Sequence, residues 1–343
     1  MKSPVSTDLA SQPLTLTATA PLTFQRLRPG DGLALPPRLL GGRWVGAAAE
    51  ALQAPLMAGG DSVLDAWTVS TPAQAQQHGC VHYVSDGQWL HGCAVIDEGV
   101  LGMQAAAHQA YADVFAVLAA SPCSQLLRVW NYFAHINADA AGTERYRQFN
   151  AGRQQAFIDA QRSAFDGSPA ACALGTHGGP LRVYFLAGRQ APLPIENPRQ
   201  VSAYRYPATY GPRAPTFSRA ALADVGGGRA GLFISGTASI VGHESMHLGD
   251  VRRQTEESLT NITAVREAAR ARGGLAFPAS EMFYTVYVRH PEDLPTVREV
   301  FERSVGASSH AAREAIYLHA DICRAELLVE IEAHGFASAR STA

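Results

Sequence analysis

The chain has 343 residues, 47% of them hydrophobic and 17% charged, with a formal net charge of −2. That is the composition of a globular protein long enough for two domains, and its charge gives no sign of recruitment of nucleic acid or another polyanion, so no such partner is expected. No apolar run approaches the roughly 20 residues a membrane helix needs, so no membrane partner is expected.

In chain order, MKSPVSTDLASQPLTLTATA (1–20) lacks the apolar core of a signal peptide and reads as a disordered leader. VHYVSDGQWLHGCA (81–94) reads as a hairpin around Asp86-Gly87. That centre pairs Val84 with Trp89, His82 with His91 and Cys80 with Cys93. Residues 102–120 predict a helix, 126–133 a strand, 142–161 a helix and 181–187 a strand. A Pro/Gly-rich passage, 188–216, marks a domain boundary near its start. Beyond it, 229–241 is a strand, and Asp250 can cap a helix that ends at Gly273-Gly274. Then come a strand at 282–289, a helix at 294–305, and strands in EAIYLHADIC and AELLVEIEA. The halves, 21–190 and 195–338, thus share an element order. They predict an α+β fold built as a pseudo-repeat, with helices on one face of each mixed sheet and a ligand between the halves.

Two inventories narrow the chemistry. Of 28 basic residues only Lys2 is lysine, which speaks against Schiff-base, PLP and P-loop chemistry and leaves arginine to bind carboxylates in planar, bidentate fashion. Cysteines 80, 93, 123, 172 and 323 are odd in number and include no C-x-x-C, which fits a reduced, cytoplasmic protein.

One motif points elsewhere. His243-Glu244-Ser245-Met246-His247 matches H-E-x-x-H, in which two His on one helical face share a zinc and the Glu polarises its water. Glu267, 20 residues after His247, is a conceivable third ligand. But Gly242 and Gly249 flank the motif, the run before it is strand-like, and Asp250 starts the next helix, so it falls in a connection. The paired Cys80, His82, His91 and Cys93 raise a second zinc possibility. A flat cross-strand rectangle about 5 Å on edge is a poor tetrahedron, and packing is the better reading. No metal is expected.

Four stretches carry a resemblance: RVWNYFAHINADAAGTERYRQFNAGRQQAF (128–157), YRYPATYGPRAPTFSRA (204–220), SGTASIVGHESMH (235–247) and CRAELLVEIEAHG (323–335). Together they resemble the chorismatase family, over about residues 65–335. The closing LLVEIEAHG also resembles the last strand of the RidA/YjgF (chorismate-mutase-like) fold. The resemblance implies a cofactor-free enzyme that takes chorismate and releases pyruvate with a cyclohexadiene diol or a hydroxybenzoate. RidA-type folds are trimers, and a doubled chain could satisfy part of such an interface by itself, so monomer and trimer both stay open.

Chorismate is a dianion, so at least two arginine sites are expected. Tyr146 and Arg153 are seven apart on one predicted helix. The loop at 204–220 offers Arg205, Tyr206, Arg213 and Arg219. The resemblance favours Tyr146, Arg153, Tyr206 and Arg219 for substrate binding, with Arg213 next. Opening an enol ether needs an acid that protonates the enolpyruvyl methylene carbon. In LLVEIEA, Glu330 faces away from Leu327, Val329 and Ile331 and shares its face with Leu328 and Glu332, which would raise its pKa. Glu330 matches the family's catalytic Glu. Cys323 with Gly236 resembles the branch that makes 3-hydroxybenzoate; the diol branch tends to carry Ala at both places. The expected activity is therefore cleavage of chorismate to pyruvate and 3-hydroxybenzoate, with 4-hydroxybenzoate as a further product left open. The alternatives are a zinc hydrolase using His243, Glu244 and His247, and a non-catalytic RidA-like module that binds small carboxylates.

Overall fold

The computed structural model describes residues 14–28, 35–48, 51–58, 60–99 and 101–338. The first 13 residues of the expected leader lie outside these. The last seven, 14–20, are held on the body. The Thr17 backbone nitrogen donates to Asp224 (3.1 Å), and Leu14 and Leu16 pack under the second half's helices. Alternating leucines give an otherwise polar segment enough apolar area to bind down.

Ahead of the repeat lie β1 (Thr23–Leu27), β2 (Leu39–Gly46), β3 (Leu56–Ala58) and β4 (Ser62–Thr68). Of these, β1, β4 and β2 pair as a small antiparallel sheet. The first half continues with β5 (Gln74–His78), β6 (Val81–Ser85), β7 (Trp89–Ile96), α1 (Gly102–Ala120) and β8 (Gln125–Ala134). A ribbon, β9 (Asp139–Ala140) and β10 (Thr143–Glu144), leads into α2 (Arg145–Asp159), β11 (Ala170–Thr176) and β12 (Leu181–Gly188). The second half holds β13 (Leu193–Ile195), β14 (Ala220–Asp224), β15 (Arg229–Ala238), the ribbon β16 (Ile240–Val241) and β17 (Glu244–Ser245), and α3 (Val251–Gly273). It ends with β18 (Phe283–Val288), α4 (Leu294–Val305), α5 (His310–Glu314), β19 (Ile316–His319) and β20 (Val329–Ser338).

The two main sheets have the same topology, β5-β6-β7-β12-β8-β11 and β13-β14-β15-β20-β18-β19, the second extended by β3. Each half is a three-strand meander, a helix, a strand, a further helical stretch, a parallel strand, and a last strand inserted between the third and fourth. The expected α+β pseudo-repeat is therefore real, and fuller than periodicity indicated. Strand β11, AACALGT, escaped because it has one β-branched residue and no alternation. The expected division at 190–195 begins just after β12 and runs through β13.

The sheets share an inner core in which Trp130, Tyr132 and Tyr184 meet Phe233, Tyr287 and Leu318. Helices α1 and α2 cover the far side of the first sheet, and α3 and α4 that of the second. Asp250 caps α3 by accepting from the Arg253 nitrogen, and left-handed Gly274 (φ 70°) ends it, as expected.

The hairpin at 81–94 differs from its expected register. Val84 faces His91, and His82 faces Cys93. Asp86 Oδ1 accepts from the backbone nitrogens of Gln88 and Trp89, closing a longer loop than a two-residue turn. The Cys/His rectangle therefore does not form.

Candidate active site

The site begins with an irregularity in the second sheet. Strands β15 and β20 pair regularly up to Ile234↔Ala333 and resume at Thr237↔Ile331. Ser235 and Gly236 thus stand opposite the single residue Glu332, a β-bulge. Ser235 turns aside to donate to Ser218 O (2.6 Å) and accept from the Ala171 nitrogen (2.9 Å). Gly236 is left against the Glu330 carboxyl. A Cβ at 236 would overlap Glu330 Oε1 and come within 2.9 Å of Cys172 Cβ. Glycine is required here for close approach, since its φ is not in the left-handed region.

The loop before β20 supplies Cys323 and Arg324. Arg289 holds it, donating to the carbonyls of Ile322 (3.0 Å), Arg324 (3.0 Å) and Leu327 (2.8 Å). The Cys323 thiol donates to Glu330 Oε2 across 3.9 Å. From the first half, the opening turn of α2 brings Tyr146.

These groups wall a cavity of about 290 Å3 between the halves, lined among others by Tyr146, Tyr206, Arg219, Gly236, Cys323 and Glu330. Six of the eight predicted site residues thus converge. Arg219 is buried, donates to Tyr206 OH (2.7 Å) and Val201 O (2.9 Å), and keeps its Nε without a partner. Arg324, which sequence reasoning missed, also lines the cavity. Its guanidinium lies 4.0 Å from the Tyr210 ring centroid, its Nη1 donates to His243 O (2.9 Å) and Ser245 Oγ (3.1 Å), and its Nη2 is buried and unpartnered. Its position next to Cys323 was the available signal.

The electrostatics single out one acid. Glu330 is 3% exposed. Burial, and then the neighbouring Glu332, push its pKa up to about 8. Burial also acts on Glu332, but Arg43 and Arg128 outweigh it and hold that carboxyl below its usual range. Burial and the Glu330 charge push the Cys323 thiol up to about 12. So near neutral pH the cavity holds a protonated carboxyl, a protonated thiol and three arginines, of which Arg147 is ion-paired with Glu144 (3.4 Å) while Arg219 and Arg324 have donors to spare. This arrangement can bind an anion and hand it a proton.

The comparisons agree with this geometry. Residues 65–187 match the family model described as chorismatase FkbO/Hyg5-like, N-terminal. A chorismatase of Streptomyces rapamycinicus is 40% identical over 282 residues, covering 79% of this chain and 82% of that protein. The chain belongs to the chorismatase family. A 3-hydroxybenzoate synthase of Streptomyces hygroscopicus is 38% identical over 280 residues, 78% of this chain and 80% of that protein. A chorismatase crystal structure superposes with a TM-score of 0.82 at 31% identity, covering 92% of this chain and 99% of the other.

Within this chorismatase two predicted binding residues lie elsewhere. Arg153 does not line the cavity. It is buried 5.1 Å from the Tyr111 ring centroid and 5.5 Å from that of Phe157, and two of its nitrogens lack partners. It shares a helical face with Tyr146, but seven residues are about 10 Å of helix. Arg213 is exposed and donates to Gln154 Oε1 (3.2 Å). Arg205 is exposed beside Asp166.

The H-E-x-x-H match is not a zinc site. Gly242, His247 and Gly249 all have positive φ (61°, 56° and 76°), so the segment is a ribbon and turn, not a helix. His243 Nδ1 meets Tyr210 OH (3.2 Å), while His247 Nε2 meets Glu257 (3.4 Å). Glu267 pairs with Arg270 (3.5 Å). Among the described residues no three His, Cys, Asp or Glu are grouped to hold a metal. A larger cavity of about 600 Å3, lined by Gln53, Asp61, His177 and Arg182, contains none of the predicted site residues. Among the described residues no helix is long and apolar enough to cross a membrane.

Proposed function

We propose that this chorismatase cleaves chorismate to pyruvate and 3-hydroxybenzoate. The observation that carries the reading is Glu330, a carboxyl buried beside Glu332 at the wall of an arginine-bearing cavity. The naming of one relative as a 3-hydroxybenzoate synthase supports the product.

Arg219 and Arg324 take the two carboxylates through their free nitrogens, with Tyr146 and Tyr206 shaping the walls. Glu330 gives its proton to the enolpyruvyl methylene carbon. The C=C π pair forms the new C–H bond, the O–H pair stays on Glu330, and the ether carbon becomes an oxocarbenium ion. Water adds to that carbon; one of its protons passes to the ring oxygen as the adduct collapses to pyruvate and a ring diol, and the other is taken up by the ring hydroxyl that later leaves as water. Loss of water from the diol then gives the aromatic hydroxybenzoate. Glu330, now a carboxylate, can accept the ring proton. A thiol with so high a pKa serves Cys323 as a donor and a shaping group, not as a base. Five free cysteines fit a cytoplasmic location.

The test is purified protein with chorismate in excess EDTA, with pyruvate followed by a coupled lactate dehydrogenase assay and ring products by chromatography. Pyruvate together with a hydroxybenzoate peak is the expected result. Binding of chorismate without turnover, or activity that returns only with zinc, would overturn the proposal.

A further inference from the structure

Behind Glu330, between the sheets, lies a buried layer of charge. Arg26 of β1, Arg43 of β2, Asp65 of β4, Arg128 of β8 and Glu332 of β20 are all under 10% exposed. Arg26 donates to both Asp65 oxygens (2.7 and 3.0 Å), and Arg43 adds a bond to Asp65 Oδ2 (2.9 Å). Glu332 Oε1 accepts from Arg43 (3.1 Å) and from Tyr287 OH (2.9 Å), while Oε2 is held in short contact by Arg128 Nη2. His91 and His334 in the same layer are neutral, since burial brings them down to about 4 and about 3. Three guanidiniums therefore face two carboxylates. The layer carries one positive charge in excess while Glu330 is protonated, and none once Glu330 has lost its proton. The unspent donor is identifiable as Arg128 Nη1, buried and without a partner. The Arg128 guanidinium is itself fixed 5.2 Å from the Trp130 ring centroid.

Groups reach Glu330 from every neighbouring element. They are Glu332 on its own strand, Tyr287 directly opposite on β18, Arg128 on β8, Cys172 on β11, Tyr146 on α2, Arg219 ahead of β14, and Cys323 in the loop. Of these, Tyr146, Arg219 and Cys323 line the cavity. Arg128 and Glu332 do not line it, and they are the charged members of the set that lie behind it.

We infer that Arg128 and Glu332 act on Glu330 as an opposed pair of positioning residues: Glu332 keeps the Glu330 carboxyl protonated before the reaction, and Arg128 supplies the countercharge for the carboxylate left when the proton moves to the substrate carbon. The inference rests on reading Glu330 as the acid. An acid buried beside a carboxylate alone would hold its proton too firmly; one beside a guanidinium alone would have lost it already. The pair lets a single buried group hold a proton near neutral pH and still part with it.

The test is the pH profile of kcat for pyruvate release in Arg128→Gln, Arg128→Lys and Glu332→Gln. The wild-type rate should fall on the alkaline side as Glu330 ionises. Arg128→Gln should move that limb to higher pH by roughly one to two units and lower the plateau at least about tenfold. Arg128→Lys should restore most of the limb position. Glu332→Gln should move the limb the other way, to lower pH. A merely structural pair would lower activity in both variants without displacing the limbs in opposite directions. Unmoved limbs, or displacement in the same direction, would overturn the inference. For any variant too unstable for kinetics, the protonated-carboxyl infrared band, assigned by its loss in Glu330→Gln, gives the same titration without turnover. Near-normal turnover by Glu330→Gln would instead remove the underlying assignment of the acid.

Discussion

Gly236→Ala is the perturbation that the site's geometry defines most sharply. The backbone tolerates alanine, since its φ is not left-handed, so the cost lies in contact. The new methyl would overlap Glu330 Oε1 and stand 2.9 Å from Cys172 Cβ. Glu330 must withdraw by more than about 1 Å to restore van der Waals separation. Overpacking of this kind costs about 1–3 kcal/mol of stability, or a fall in Tm of a few degrees. A misplacement of about 1 Å costs roughly 100-fold in rate. The side to which Glu330 can retreat holds the Cys323 thiol, 3.9 Å from Oε2. Adding Cys323→Ala opens that side. The single variant should therefore release pyruvate about 100-fold more slowly. The double variant should recover at least about tenfold and should shift the ring product toward the diol, a strongly non-additive pair. The assay is coupled pyruvate detection with chromatography of the ring products. A single variant with wild-type kcat and product ratio, or a double variant no faster than the single, would refute the reasoning.

Other outcomes follow from the same geometry. A carboxyl raised from 4.5 to about 8 favours the folded state fully below the unfolded value, and loses that contribution as pH rises through about 8. Wild type should thus lose stability between pH 6 and 9 relative to Glu330→Gln, by an amount on the order of a few kcal/mol, as read by chemical denaturation at each pH. Arg324→Ala should raise KM for chorismate about 10- to 100-fold while changing kcat less, and Arg324→Lys should not restore it, because a point ammonium cannot reproduce a planar fork stacked on Tyr210. Asp65→Asn leaves Arg26 and Arg43 without their shared carboxylate. It should cost about 3–5 kcal/mol in a denaturant titration.

The sequence by itself determined the local and the linear. The α3 cap at Asp250, the helix at 102–120 and the doubled element order follow from capping chemistry and periodicity, which act over a few residues. The pairing of Glu330 with Glu332 was equally legible, because a strand's two-residue period puts both on one face. Tertiary structure decided the rest. Tyr146 and Arg153 share a helical face, but only the docking of α2 determines that its first turn, and not its third, reaches the cavity. Arg324 and Arg128 drew no attention, because an arginine's role depends on what stands opposite it. The opening of β15 at Gly236, and the turn that separates His243 from His247, depend on strand register and backbone sign. Residue types fix the chemistry available, but the packing of one half against the other fixes which groups meet, because burial and charge act through distances in space and not along the chain.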